Sequence, residues 1–215
     1  MSIEAYPPVF IVGQSGAGKS SIVRNIADPD RTVVLNTERK IMPTRNAMKL
    51  KNVDIDSWKK FKTTLDKAME SDAYDRVIID SFTSLTELIY QYCKVAYNGF
   101  TVWEMYNQAI WEFCQGIKAN KKPVYILGID APMEKGDDGS KRFIKVKGKE
   151  WLNSVEKEFA IVLYAEVIGE NSDREHRLHT TPNSSNTAKS PDGMFSDYID
   201  NDVLVIEDGI EKYYG

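Results

Sequence analysis

Short uninterrupted runs of apolar residues recur along the first two-thirds of the chain: Val9-Phe10-Ile11-Val12, residues 32–36 (Thr-Val-Val-Leu-Asn), residues 76–80 (Arg-Val-Ile-Ile-Asp) and residues 123–129 (Pro-Val-Tyr-Ile-Leu-Gly-Ile). They are rich in β-branched residues and do not alternate with polar ones. This is the pattern of strands buried on both faces of a parallel sheet. Between them the apolar period lengthens to that of a helix. Residues 57–71 carry Trp58, Phe61, Leu65, Ala68 and Met69 on one face, with Asp56 placed to cap the start. Residues 83–97 carry Leu85, Leu88, Ile89, Tyr92 and Ala96, and Asn98-Gly99 closes the run. Residues 101–119 carry Val102, Tyr106, Ala109, Ile110, Phe113, Cys114 and Ile117, a stripe that reads as core rather than as a base-stacking surface. A helix over residues 20–27 is expected to stop at Asp28-Pro29-Asp30, and residues 41–55 read as an irregular connection.

The last third changes character. Residues 133–140 form a turn-rich loop, after which Lys141 to Lys147 reads as a strand. Alternation puts Lys141, Phe143, Lys145 and Lys147 on one face, and Arg142, Ile144 and Val146 on the other. A short helix is expected near residues 150–158. Phe159 to Ile168 then forms an apolar strand paired in a hairpin with Arg174 to Thr181. His176 and His179 fall on opposite faces of that second strand, poor metal geometry, and read as surface histidines. Val203 to Ile206 is the last apolar run. Strands alternating with helices predict a single α/β domain over residues 1–215: a mostly parallel sheet, helices on both faces and a C-terminal antiparallel hairpin.

The net charge of −4 excludes a protein that binds nucleic acid through bulk positive charge; any such contact needs a local patch or many copies in a row. No window approaches 18 apolar residues and the start lacks signal-peptide character, so the expectation is a cytoplasmic chain with no membrane partner. Cys93 and Cys114 sit in no ligand cluster.

Chemistry enters directly after the first strand. Gly13-Gln14-Ser15-Gly16-Ala17-Gly18-Lys19-Ser20 fits the phosphate-binding pattern G-x-x-x-x-G-K-[ST], and Ser21 continues it into the helix. Glycines let the loop's N–H groups turn inward around phosphates without a Cβ clash. Lys19 should reach the β- and γ-phosphates, and the Ser20 hydroxyl should hold Mg²⁺. Asp80, at the end of an apolar strand, has the form of the carboxylate that faces that ion from the opposite side. Glu38 follows the second strand, where a carboxylate can orient an attacking water or can simply be a solvated loop acid. Cations interleaved with one aromatic at Lys141, Phe143, Lys145 and Lys147 suit a single-stranded backbone with a stacked base, and equally suit a solvated hairpin face.

The nucleotide class narrows by elimination. Asp80 is followed by Ser81-Phe82-Thr83, not by the Asp-x-x-Gly of a GTPase, and no Asn-Lys-x-Asp is present. AAA+ ATPases usually carry Asp-Glu where this chain has Asp80-Ser81, and no arginine-bearing lid of a small-molecule kinase stands out. The remaining pattern resembles the RecA-like ATPases. More narrowly, it is similar to the phage RecA-like proteins that include the Sak-type single-strand annealing ATPases. The resemblance rests on Gly13–Ser20, Asn36–Pro43, Val77–Ser81, Val124–Leu127, Phe159–Val167 and Ala188-Lys189-Ser190-Pro191-Asp192-Gly193-Met194-Phe195. It implies ATP with Mg²⁺ as ligands, Glu38 as the catalytic carboxylate, single-stranded DNA as partner in recombination or annealing, and a homo-oligomeric ring or filament with nucleotide between subunits. It also implies a cation from the neighbouring subunit at the γ-phosphate, for which Lys189 is the candidate, and a DNA-binding loop after the strand that ends near Asp130, which favours the Lys141–Lys147 face. The chain departs from that pattern at Ile129, where related proteins carry a polar γ-phosphate sensor. The alternatives are a nucleotide-controlled assembly protein with little turnover and a small-molecule phosphotransferase.

Overall fold

The apolar runs become the middle of a nine-stranded sheet. In chain order the strands are β1 (Val9–Gly13), β2 (Thr32–Asn36), β3 (Lys51–Asp54), β4 (Arg76–Asp80), β5 (Val124–Pro132), β6 (Arg142–Ile144), β7 (Ile161–Ile168), β8 (Glu175–His179) and β9 (Tyr198–Asp200). Across the sheet they run β3-β2-β4-β5-β1-β7-β8-β9, with β6 paired to the end of β5. From β3 to β7 every pairing is parallel; β7, β8 and β9 are antiparallel, as are β5 and β6. The computed structural model describes residues 5–118, 120–132, 142–148, 150–151, 154–169 and 174–215.

Each central strand is buried on both sides, so its residues divide between two cores. Phe10, Val12, Val33, Leu35, Val77, Ile79 and Ile126 face α1 (Trp58–Glu70), α2 (Phe82–Ala96) and α3 (Thr101–Gly116). Val9, Ile11, Val34, Ile78, Tyr125 and Leu127 face Ile22 and Val23 after the phosphate loop, and Val203, Ile206 and Ile210 of α4 (Val203–Tyr214). This is a mixed α/β architecture, a mostly parallel sheet covered by helices on both faces. Phe10 sits where β1 meets α2, its ring edge-on to Phe82 and Phe159 with centroids 5.2 and 5.1 Å away. Gly128 makes room for it: a Cβ there would lie 2.6 Å from Phe10 Cε1.

Several local expectations change. The helix expected over residues 20–27 is a 3-10 helix over Lys19–Val23. It ends well short of Pro29, so little helix dipole backs the phosphate loop. Ser57, not Asp56, caps α1, its side chain accepting from the Lys60 N–H. Along α2, Thr86 and Cys93 are buried while Tyr92 is exposed. The strand expected over residues 141–147 shortens to β6 and the helix near 150–158 to a 3-10 turn at Val155–Glu158. β3 arises inside the stretch read as irregular, and α4 extends the short run at 203–206 to the C-terminus.

Candidate active site

The parallel register brings four strand ends to one edge. Asn36 pairs with Asp80, Asp80 with Leu127, and Gly13 with Ile129. Because β5 lies between β1 and β4, the phosphate loop and Asp80 flank its C-terminal end. A cavity of about 410 Å³ opens there, lined by Ser15, Gly16, Gly18, Lys19, Ser20, Ser21, Glu38, Asp80 and Ile129 among others. Gln14 and Ala17 instead face an adjoining cavity of about 520 Å³ that also holds Asp130 and Arg142.

The loop turns on Gly16 and Gly18, whose φ angles of 85° and 88° favour glycine. Lys19 Nζ donates to the carbonyls of Gly13 and Gln14, both at 2.8 Å. Burial pushes its pKa down, and the negative charges of Asp130, Asp80 and Glu38 offset part of that. Ser20 Oγ donates to Asp80 Oδ2 at 3.0 Å. Burial raises the Asp80 pKa and the nearby Glu38 charge adds to it, while Ser20, Lys19 and Lys40 pull the other way. The half-buried carboxylate of Asp80 beside the hydroxyl of Ser20 is a hard-oxygen pair that would suit a magnesium ion.

Glu38 is held from two sides. Ser81 Oγ donates to its Oε1 at 2.9 Å and Lys40 Nζ to its Oε2 at 2.9 Å. Burial would raise its pKa; hydrogen bonds from Lys40 and Ser81, with the charges of Lys40 and Lys19, outweigh this and hold the carboxyl below its ordinary range. The β2 and β4 ends are cross-linked behind it: Thr37 Oγ1 accepts from the Ser81 N–H and donates to the Ser81 carbonyl, each at 2.8 Å. Asn36 closes the loop that carries Glu38, donating to the Lys40 carbonyl and accepting from the Arg39 N–H, each at 2.7 Å. Arg39 itself has φ 55°, and the Asp80–Ser81 peptide is cis.

Asp130, expected near the phosphates, borders the phosphate loop across the adjoining cavity, where its charge acts on Lys19 while it is ion-paired with Arg142. Other residues singled out in the sequence lie elsewhere. Lys147 is engaged by Glu87 at 2.8 Å and stacks over the Tyr90 ring, whereas Lys145 is exposed and Phe143 half-buried. Lys141 lies outside the described residues. Lys189 pairs through its backbone with Val162, level with Phe10 and three residues before Gly13 along the neighbouring strand. The charges that act on it are those of Glu156 and Glu158.

Two side chains from the C-terminal strands also hold the phosphate loop, contacts that no sequence pattern announces. Asn201 Nδ2 donates to the Gly18 carbonyl at 2.7 Å, and His176 Nδ1 lies 3.3 Å from the Ala17 carbonyl. His176, half-exposed, also contacts the loop, whereas His179, expected at the surface, is buried with Nε2 2.6 Å from Glu166 Oε2. An isolated Asn and His more than 150 positions downstream carry no pattern that links them to the loop.

The sequence profile of the AAA domain family matches residues 5–191. No curated protein matches the chain. Among solved structures, a KaiC-like protein from the hyperthermophilic archaeon Pyrococcus horikoshii is similar with a TM-score of 0.50 and 11% identity, over 80% of this chain and 77% of that one. At that identity the likeness concerns the fold alone. The profile match corrects the weight given to Asp80-Ser81 against an AAA-type reading. The hydroxyl of Ser81 meets the carboxylate of Glu38, which follows the neighbouring strand β2.

Proposed function

This chain belongs to the AAA domain family, and we propose that it is an ATPase in which Glu38 draws a proton from the water that attacks the γ-phosphorus, yielding ADP and phosphate. The observation that carries the reading is the convergence of Lys19, the Ser20–Asp80 pair and the doubly held Glu38 on one cavity. Lys19 leaves the Gly13 and Gln14 carbonyls for the phosphate oxygens, a stronger charge-assisted partner. Ser20 and Asp80 would hold magnesium, which when bound would neutralise phosphate charge. Glu38, ionised at neutral pH, accepts the proton from water; positioning and charge stabilisation supply the rest. Lys19→Ala should abolish ATP binding and turnover, and a variant that hydrolyses ATP like the wild type would refute the reading.

The polymer it acts on is, on this proposal, single-stranded DNA, through the segment after β5. Two things support this: the resemblance to single-strand annealing ATPases, and a short path from that segment to the nucleotide cavity. The Lys145 N–H donates to the Ile129 carbonyl at 2.8 Å, and Ile129 lines the cavity. Lys145 is exposed beside half-buried Phe143, so the pair can take a backbone phosphate and a base. Hydrolysis that rises with added single-stranded oligonucleotide, with binding that weakens as salt rises, is the expected result; no binding at low salt removes DNA from the proposal. Apolar Ile129 at the cavity wall favours one second reading, a nucleotide-controlled scaffold with slow turnover. A sedimentation coefficient that changes with ATP while turnover stays negligible would select it.

A further inference from the structure

The C-terminal part of the chain grips the phosphate loop from behind, and the grip is directional. Asn201, just past β9, is 2% exposed and donates to the Gly18 carbonyl at 2.7 Å. His176, on β8, faces the Ala17 carbonyl at 3.3 Å, a contact that places the proton on Nδ1. The Asn201 N–H donates in turn to the His176 carbonyl at 3.2 Å, so the two side chains are set by one backbone link. Next to them Asp202 accepts from Asn25, beyond the 3-10 helix, and caps α4 by accepting from the Leu204 N–H at 3.0 Å. Gly18 lets them approach: a Cβ there would lie 2.3 Å from His176 Nδ1 and 3.1 Å from Asn201 Nδ2.

In a planar trans peptide the C=O and the N–H point in opposite directions. A Gly18 carbonyl drawn outward by Asn201 therefore turns the Lys19 N–H away from Asn201. An Ala17 carbonyl held by His176 does the same for the Gly18 N–H. With a five-residue 3-10 helix behind the loop, these amides have little helix dipole to orient them. We propose that Asn201 and His176 are positioning residues that aim the Gly18 and Lys19 amides at the phosphates of the bound nucleotide. This rests on the ATPase reading of the same site. It also makes the β8–β9 segment a part of the nucleotide-binding machinery.

Amides that grip the phosphates equally before and during the reaction contribute uniform binding, which appears in KM and not in kcat. Asn201→Ala should raise the Kd for Mg-ADP and the KM for Mg-ATP about tenfold, the scale of one lost hydrogen bond to a charged group, with kcat changed less than about twofold. His176→Ala, a change at a half-exposed site, should raise both about threefold by the same logic. The double variant should fall short of the product of the two, because the residues share one backbone link. A merely structural role gives the opposite split: fewer active molecules, hence lower kcat, with KM and Kd unchanged. If Asn201→Ala does not fold, His176→Ala decides alone. Wild-type Kd and KM in the folded variants would overturn the positioning role and leave the ATPase reading standing. A wild-type chain that binds no Mg-ADP overturns both.

Discussion

Ser81 Oγ donates to Glu38 Oε1 at 2.9 Å, so the residue that follows Asp80 at the end of β4 fixes the carboxylate that follows β2. The pairing joins two strands that are neighbours in the sheet and more than 40 positions apart in sequence. Ser81 also caps α2, accepting from the Ser84 N–H, which ties the orientation of Glu38 to the start of that helix. Ser81→Ala leaves the nucleotide contacts in place and frees the carboxylate. Steady-state kinetics should show kcat lower by about tenfold, the effect of a misplaced base, with KM for ATP within about twofold.

Lys40 acts on the same carboxylate through charge. Burial opposes ionisation of Glu38, and the hydrogen bonds of Lys40 and Ser81 with the charges of Lys40 and Lys19 reverse the sign, holding its pKa below the ordinary 4.5. A base with a depressed pKa stays ionised down to that lower value, so the acid limb that Glu38 gives to kcat/KM should lie below pH 4.5. Its contribution to stability has the same sign: present above the ordinary value and lost as pH falls through the depressed one. In Lys40→Ala the limb should move upward, and an unmoved limb would show that Lys40 does not set the ionisation of Glu38.

Gly128 and Phe10 test the core beneath the site. A Cβ on Gly128 would lie 2.6 Å from the Phe10 ring, which is enclosed by Phe82 and Phe159 and has nowhere to go. Gly128→Ala should lower unfolding stability by about 1–3 kcal/mol in a denaturant titration, the usual cost of overpacking.

What the sequence disclosed and what it withheld have physical reasons. Strands buried on both faces must be apolar throughout, so β1, β2, β4 and β5 stand out, and a loop that wraps phosphates needs its glycines and Lys19 at fixed spacing. β3 is an edge strand of Lys-Asn-Val-Asp, largely exposed, with no apolar signal to read. α4 runs through Gly209, a poor helix residue, and only the folded chain shows why it is there: a Cβ would lie 2.2 Å from the Phe195 ring. The support of Glu38 by Ser81 and of Gly18 by Asn201 depends on strand register, which no local pattern encodes.

Lys189 provides a test of assembly. In its own chain it lies beside Val162, with Glu156 and Glu158 as the charges that act on it, and the resemblance to RecA-like ATPases implies that it serves the nucleotide of a neighbouring copy. Lys19→Ala and Lys189→Ala should each be inactive alone. Mixed, they should regain part of the activity, because a shared site can take Lys19 from one chain and Lys189 from the other. No recovery on mixing, with both variants folded, would place Lys189 outside the reaction.

The most direct test of the central claim is steady-state hydrolysis of Mg-ATP by the wild type and by Glu38→Gln, with ATP affinity measured on both. The account expects the wild type to turn over. It expects Glu38→Gln to bind ATP within about threefold of the wild type and to turn over at least about a hundredfold more slowly, the scale of a lost general base. A Glu38→Gln variant that hydrolyses ATP at the wild-type rate would contradict it.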